Sequence, residues 1–289
     1  MRINHLYYPL IIISLMTFTF VAQAQQAYTI FNKRGELVSF EQIMQETKGK
    51  SHIFFGEFHN NPIVHWLQLE MTKKLHLQHG NNLIIGAEMF ESDNQLLIDE
   101  YFSDQIKQKS FEEEARLWKN YKTDYKPILE FAKKNNLKFI ATNIPRRYAN
   151  SVFYNGVSIL EKLSPEAKSY IVPVPFLIDT NLASYQDIKK MSGDHNGRFM
   201  MEAQAVKDAT MAHFILENSL KGSIFLHLNG AYHSNKYEGL ISFLMYKIRK
   251  DKILTISTVS QDEVSHLDQR NYDLADFIIC VNSEMTLTH

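Results

Sequence analysis

The chain has 289 residues, of which 45% are hydrophobic and 22% are charged, and its formal net charge at pH 7 is −1. This is the composition of a folded globular protein, and it excludes an intrinsically disordered chain. The near-neutral charge lacks the basic excess of a nucleic-acid-binding protein, so we expect no nucleic-acid partner. The single cysteine, Cys280, cannot form an internal disulfide, and its apolar neighbours predict a buried thiol.

Residues 1–24 predict a cleavable signal peptide. Arg2 supplies a positive charge, residues 6–21 form an apolar run that is short for a membrane span, and Ala22-Gln23-Ala24 has the A-x-A form of a cleavage site. We expect the remaining residues 25–289 to form one α/β domain. Because no cysteine stands at the cleavage site, there is no lipid-attachment signature, and the predicted location is periplasmic or secreted.

Apolar runs and helical patterns alternate along the rest of the chain. Short apolar runs predict strands at 51–55, 82–87, 137–141, 223–228, 253–258 and 277–281. Helical patterns lie between them, at 61–79, 93–103, 110–135, most of 146–220 and about 236–250. This alternation predicts an α/β fold with a mostly parallel sheet flanked by helices. Pro173 and Pro175 interrupt the pattern, and we interpret residues 150–200 as a helical insertion over the carboxyl ends of the strands.

Polar side chains follow four of the predicted strands directly. They are Glu57 and His59, then Glu88, then Asn143 with Arg146 and Arg147, and finally His233. Ligands of parallel α/β proteins bind just outside the carboxyl ends of the strands. We therefore expect these residues to meet at one rim of the sheet.

Glu88 follows an apolar run and is predicted to be at least partly buried. A buried carboxylate needs a cationic or hydrogen-bonding partner. One possibility is a histidine at the same rim. The alternative is a purely structural salt bridge with Arg146 or Arg147.

The other strand-end residues also have structural alternatives. Glu57 and His59 are two positions apart, so an extended backbone points both side chains the same way, but they could simply form an exposed loop pair. Asn143 could be a turn residue, and His233 could begin a helix. His65 is of interest because it lies one turn into the helix that follows the His59 loop.

The predicted helix that follows Met200 carries a second polar signal. Gln204, Asp208 and Met211 are four and three positions apart and so share one face, beside a stripe of alanines. Small residues permit close approach to the sheet, which would bring Gln204 and Asp208 to the rim. The alternative is a solvated polar pair.

Together, these motifs resemble the ChaN-like haem-binding uptake proteins within the wider Tiki and erythromycin-esterase-like superfamily. The matching segments are Gly56-Glu57-Phe58-His59, Gly86 to Phe90, Asn143 to Arg146, Ala203 to Ala212, and Leu228-Asn229-Gly230 with His233. The resemblance spans roughly residues 40–260. It implies an exported protein that handles haem during iron acquisition, as a homodimer enclosing stacked haems and in contact with an outer-membrane haem transport system.

In the haem-binding interpretation, the resemblance implies a tyrosine as the ligand of ferric iron, and a phenolate suits that hard cation. Tyr148 is our first candidate, followed by Tyr154 and Tyr232. Arg146 and Arg147 are candidates to pair with the propionates, since a guanidinium fork matches a carboxylate. The remaining cofactor-site candidates are Asn143, Gln204 and Asp208.

The alternative interpretation is a hydrolase, and whether the protein is an enzyme stays open. Glu57, His59, Glu88 and His233 could hold a divalent metal ion that activates water. Without a metal, His59 could act as general base with Glu88 orienting it. The His-Glu-x-x-His and Gly-x-Ser-x-Gly motifs of other hydrolases do not occur. A third interpretation is a non-catalytic binding protein whose polar cluster only shapes a pocket.

Overall fold

The computed structural model describes residues 26–191 and 193–289. The predicted signal peptide lies outside the described residues, so its cleavage stays a prediction. Within the described ranges, no helix is both long enough and apolar enough to span a membrane.

Seven strands of the described chain form one sheet. They are β1 (Tyr28–Asn32), β2 (His52–Glu57), β3 (Leu83–Glu91), β4 (Lys138–Asn143), β5 (Ile224–Gly230), β6 (Ile253–Gln261) and β7 (Phe277–Asn282). Their order is β1-β7-β6-β2-β5-β3-β4, and every neighbouring pair is parallel except β1 with β7. The predicted α/β fold with a mostly parallel sheet is confirmed. The antiparallel edge strand β1 was not predicted.

Ten α-helices connect or cover the strands in the described chain. They are α1 (Phe40–Glu46), α2 (Pro62–His79), α3 (Gln95–Phe102), α4 (Gln108–Glu114), α5 (Lys126–Lys134), α6 (Arg146–Asn155), α7 (Pro165–Lys168), α8 (Ala183–Met191), α9 (Gly193–Asn218) and α10 (Leu240–Leu244).

Two predicted helices are shorter than their sequence patterns suggest. The helix expected over 110–135 is divided into α4 and α5, with a π-helical turn at Tyr121–Tyr125 between them. Pro127 stands in the first turn of α5, where its missing N–H costs no hydrogen bond, so α5 begins there as a separate helix. The helix expected over 236–250 is reduced to α10, because Tyr237 and Gly239 adopt φ values of 60° and 57° that a right-handed helix does not allow.

Alternate residues of the central strands enter two different cores, one on each face of the sheet. In β2, Ile53 and Phe55 pack with the buried side of α2, whereas Phe54 packs with Met211 of α9 and residues of α10. This is the pattern expected where helices cover both faces of a parallel sheet. Each fully buried aliphatic or aromatic side chain stabilises the fold by roughly 1.5–3 kcal/mol.

The chain between β4 and β5 forms the predicted helical insertion. Helices α6, α8 and the first half of α9 pack against one another through two further apolar clusters, centred on Val152 and on Tyr185. Ile188 and Met191 of α8 line a cleft that also contains the carboxyl ends of the central strands. The insertion therefore forms one wall of that cleft.

Candidate functional site

The cleft has a volume of about 890 Å³ and lies where β2, β3, β4 and β5 end. Each of those strand ends contributes to its lining. Glu57 ends β2 and His59 follows it, Glu88 lies in β3, Asn143 ends β4, Gly230 ends β5 and His233 follows it. Since parallel strands place their carboxyl ends at one edge, residues far apart in sequence converge here.

Glu57 is the buried acceptor at the end of β2. Its Oε1 accepts hydrogen bonds from Nδ1 of His59 at 2.9 Å and from the hydroxyl of Tyr125 at 2.7 Å. Its Oε2 accepts one from Nε2 of Gln68 at 2.6 Å. Burial opposes ionisation, but the neighbouring His65 and His59 and these hydrogen bonds hold the pKa of Glu57 below its usual value. Glu57 is therefore an ionised carboxylate that fixes the orientation of His59.

His59 presents its other ring nitrogen to the cleft. Because Nδ1 donates to Glu57, the neutral ring carries its proton there, and Nε2 is an acceptor that no hydrogen bond occupies within the described residues. The side chain is 38% exposed. Burial alone would lower the pKa of His59, but the carboxylates of Glu57 and Glu88 raise it above its usual value. This ring can exchange a proton with a bound molecule.

Gly230 makes room for the His59 ring. A Cβ at position 230 would lie 2.8 Å from both Nε2 and Cε1 of His59, which is closer than real Cβ contacts. The lack of a Cβ at Gly230 therefore permits the close approach of β5 to the imidazole of His59. The backbone angle of Gly230 is not what requires glycine here.

The backbone of the His59 loop is held by side chains from α2 and from the segment before α5. The carbonyl oxygen of His59 accepts hydrogen bonds from Nε2 of His65 at 3.1 Å and from Nδ2 of Asn120 at 2.5 Å. Asp124 accepts a second bond from Asn120 at 2.7 Å. The position of His59 is thus set by its backbone as well as by Glu57.

His233 lies between two buried carboxylates. Its Nδ1 is 2.5 Å from Oδ1 of Asp208, and its Nε2 is 3.1 Å from Oε1 of Glu88. The other Glu88 oxygen accepts a bond from the backbone N–H of Gly230 at 2.7 Å. The expected alternative, a salt bridge from Glu88 to Arg146 or Arg147, is not formed, because His233 occupies the partner position.

This arrangement makes His233 an imidazolium. Burial alone would lower its pKa, but the carboxylates of Glu88 and Asp208 raise it to about 10. Burial alone would raise the pKa of Glu88, but the charge of His233 holds that pKa far below its usual range. Burial raises the pKa of Asp208. With both nitrogens protonated, His233 neutralises buried charge and has no free nitrogen to act as a base.

Helix α9 supplies Gln204 and Asp208 to this cluster. The side-chain amide of Gln204 lies 3.1 Å from Nδ1 of His233, and the hydroxyl of Tyr185 donates to Oδ2 of Asp208 at 2.8 Å. Tyr185 belongs to α8, which is part of the wall of the cleft. The strand ends and the cluster of Glu88, Asp208 and His233 form the floor of the cleft, so this hydrogen bond connects wall and floor.

The residues at the end of β4 point in different directions. Nδ2 of Asn143 donates to the carbonyl of Glu88 at 3.0 Å, and Arg146 lines the cleft. Arg147 instead pairs with Asp93 at 2.5 Å, and its guanidinium lies 4.4 Å from the centre of the Tyr148 ring. Arg147 and Tyr148 are outside the cleft lining.

The tyrosine candidates differ in position as well. Tyr148 is half-buried against the α6 cluster, and Tyr154 is 68% exposed but does not line the cleft. Tyr232 is 69% exposed and lines it.

Several residues of this site were not predicted. Tyr125, Asn120 and Tyr185 carried no signal, because their partners are distant in sequence. Gln68 could have been found, since it lies three residues after His65 on the buried face of α2.

No three His, Cys, Asp or Glu side chains within the described chain are arranged to hold a metal ion. The four predicted ligands form two pairs. His59 bonds to Glu57, and His233 bonds to Glu88. This ligand set does not fit a divalent ion.

The fold and the cleft define an α/β protein with a candidate ligand site at the carboxyl ends of its strands. The sequence profile of the family described as haem-binding uptake, Tiki superfamily, ChaN matches residues 43–244, and the chain belongs to that family. A search of curated proteins gives no match.

Solved structures share this fold. ChaN of Campylobacter jejuni, solved with cofacially bound haem, has 19% identity and a TM-score of 0.62, and the match covers 87% of this chain and 96% of that one. A Bacillus cereus protein has 11% identity, a TM-score of 0.54, and coverage of 89% and 95%. A succinoglycan biosynthesis protein has 9% identity, a TM-score of 0.52, and coverage of 89% and 94%. At these identities, the likeness shows the fold alone.

Proposed function

We propose that this protein binds ferric haem in the cleft and serves haem uptake. The observation that carries the proposal is the combination of a large apolar cleft, cationic side chains and an exposed phenol in one place. Membership of the haem-binding uptake family supports it.

The cleft residues fit a flat, apolar, dianionic cofactor. A volume of about 890 Å³ lies within the range of small-molecule sites, roughly 300–1,000 Å³. The apolar lining includes Phe58, Trp118, Ile144, Ile188, Met191, Met200 and Leu274. The cationic lining includes Arg146, Lys207, Lys236 and Arg270, which are suitable partners for propionates. When bound, the haem iron would accept one protein ligand.

Tyr232 is the tyrosine best placed to supply that ligand. It is the only one of the three candidates that lines the cleft, and most of its side chain is accessible. Tyr148 is the first candidate from the sequence, but its ring packs against the apolar cluster around Val152 and lies under the Arg147 guanidinium. The variants Tyr148→Phe and Tyr154→Phe are therefore matched controls for Tyr232→Phe.

A hemin titration followed by visible absorption tests the proposal. We expect saturable binding with a phenolate-to-iron charge-transfer band that is lost in Tyr232→Phe and kept in Tyr148→Phe and Tyr154→Phe. Absence of saturable binding would refute haem binding itself. Loss of the band in Tyr148→Phe instead would refute only the choice of ligand.

We also propose, from the signal-peptide pattern and the family, that the mature protein is exported, forms a homodimer around haem and exchanges haem with an outer-membrane transport system. Terminal sequencing of the protein from a periplasmic extract tests cleavage after Ala24. Sedimentation with and without hemin tests dimerisation. A full-length chain retained in the cytoplasm would contradict export.

A second candidate function, general-base hydrolysis, is favoured by the His59–Glu57 pair. Nε2 of His59 can take a proton from water while Glu57 holds Nδ1–H, the pairing used by many hydrolytic bases. Glu57 orients the base, which corrects the assignment of that role to Glu88. Hydrolysis of p-nitrophenyl acetate should be lost in His59→Ala and unchanged in His266→Ala, a variant of an exposed histidine outside the cleft.

A further inference from the structure

A second concave surface, the β1 groove, lies at the edge of the sheet formed by β1. Its volume is about 1030 Å³, and it is lined by Tyr28, Leu37 and Trp66 together with charged side chains of α1, α2 and the loop after β6. None of these residues belongs to the cleft, so this inference is independent of the proposed function.

The groove contains exposed apolar side chains that the fold leaves uncovered. Trp66 is 49% exposed and Leu37 is 66% exposed. The rings of Trp66 and Tyr28 meet edge to face, with centroids 6.4 Å apart. Accessible tryptophan and tyrosine side chains in a concavity are typical of binding surfaces.

The charge of the groove is strongly one-sided. Its lining carries four carboxylates, Glu41, Glu70, Asp262 and Glu263, against the single ammonium group of Lys74. Lys74 lies 3.5 Å from Glu41, and Glu70 pairs with Lys73 at 2.7 Å. Asp262 and Glu263 are exposed, so negative potential remains at that side of the groove.

The outer edge of β1 is open at one position. The chain folds back along this edge, where the Val38 N–H donates to the Ile30 carbonyl at 3.0 Å and the Asn32 N–H to the Glu36 carbonyl at 2.9 Å. Alternate residues of an antiparallel strand face the same edge, so the backbone of Tyr28 also points outward. In the part of the chain described, no backbone hydrogen bond covers that edge at Tyr28.

We propose that the β1 groove binds an extended peptide segment with alternating Lys or Arg side chains, which adds as a strand beside Tyr28. The N–H and C=O groups of Tyr28 would pair with the main chain of the peptide, as in other strand additions. Every second side chain would face the groove, where a cation meets the carboxylates and the face of Trp66. An extended basic chain uses all three of these features at once.

Calorimetry with the acetylated, amidated peptide Lys-Val-Lys-Val-Lys tests this inference on the purified protein. We expect saturable binding that weakens about tenfold in the double variant Glu70→Gln/Glu263→Gln and at high salt. The double variant Glu161→Gln/Glu166→Gln removes two exposed carboxylates outside the groove and should bind like the wild type. All four positions lie at least partly at the surface, so the variants should fold.

Two control measurements distinguish strand addition from simple charge attraction. The peptide N-methylated at every residue, which has no N–H to donate to the strand edge, should bind at least about tenfold more weakly. Equal binding of the N-methylated peptide, or of Glu-Val-Glu-Val-Glu, would overturn the proposal, as would no binding at all. Self-association abolished by Trp66→Ala would assign the groove to a second copy and also overturn it.

Discussion

The Nδ1 atom of His233 lies 2.5 Å from Oδ1 of Asp208, and both side chains are buried. The opposite nitrogen faces Glu88 at 3.1 Å, so the ring contacts a carboxylate on each side. When two buried carboxylates share one cation, removal of the cation leaves both charges unpaired and destabilises the fold. His233 thus holds β3, α9 and the segment after β5 together at the floor of the cleft.

Replacing His233 with alanine should destabilise the protein by about 3–5 kcal/mol, because both carboxylates would be left buried without a counter-charge. Urea denaturation monitored by circular dichroism would measure the change. His266→Ala, at an exposed position, should change the free energy of unfolding by less than about 0.5 kcal/mol. A His233→Ala variant as stable as the wild type would show that these carboxylates are neutral or solvated.

The free energy of unfolding should depend on pH in two ranges, one alkaline and one acidic. The folded-state pKa of His233 is raised to about 10 from an ordinary value near 6.5, so its stabilisation is complete below pH 6.5 and is lost as the pH rises through 10. The slope between these values should approach about 1.4 kcal/mol per pH unit. The pKa of Glu88 is depressed, so its contribution is present above pH 4.5 and is lost as the pH falls below that value.

The free energy of unfolding, measured at intervals from pH 3 to pH 10, tests both ranges. His233→Gln removes the titrating group and should flatten the alkaline slope, while Glu88→Gln should reduce the acid slope. A slope above pH 7 that persists unchanged in His233→Gln would assign it to another group.

Much of the fold followed from the sequence because its strands are continuous apolar runs. The runs ending near Glu57, Glu88 and Asn143 required both faces to be covered, which only an α/β arrangement provides. Strand β1 was missed because it has only five residues and pairs with β7, about 250 positions away. A short edge strand of this kind is specified by its partner rather than by its own pattern.

The site was harder to predict for a related reason. The rule that polar residues meet at strand ends indicates which residues are near one another, but not which atoms pair. Whether Glu88 contacts an arginine or His233 depends on the direction of each side chain, and that is set by tertiary packing. Tyr125 and Tyr185 could not be found, because their partners lie in other elements of the fold.

Glu57→Gln should lower the pKa of His59. The carboxylate accepts Nδ1–H at 2.9 Å and favours the imidazolium, and an uncharged amide supplies the hydrogen bond without the charge. We expect the pKa of His59 to decrease, and NMR titration of the His59 ring protons measures the change. Glu263→Gln, at an exposed position outside the cleft lining, serves as the control and should leave the titration unchanged. An unaltered His59 pKa in Glu57→Gln would show that the pair is not electrostatically coupled.

Gly230→Ala should displace the His59 ring, since the new Cβ would lie 2.8 Å from Nε2. Overpacking of this kind costs about 1–3 kcal/mol in stability. The same substitution made in a His59→Ala background should cost much less, because the ring that it meets is gone. A double-mutant cycle on the unfolding free energies measures this coupling, and equal costs in both backgrounds would place the strain elsewhere.

Tyr185→Phe should loosen the α8 wall of the cleft. The Tyr185 hydroxyl donates to Asp208 at 2.8 Å, and its removal leaves one oxygen of a buried carboxylate without that partner, at a cost of about 1–3 kcal/mol. Hydrogen exchange of the α8 amides should become faster, while exchange in β2 and β5 changes little, because the floor keeps its own contacts. If hemin binds as proposed, its dissociation should also accelerate in this variant. Unchanged α8 exchange in a stably folded Tyr185→Phe protein would show that apolar packing around Tyr185, and not the hydrogen bond, holds the wall in place.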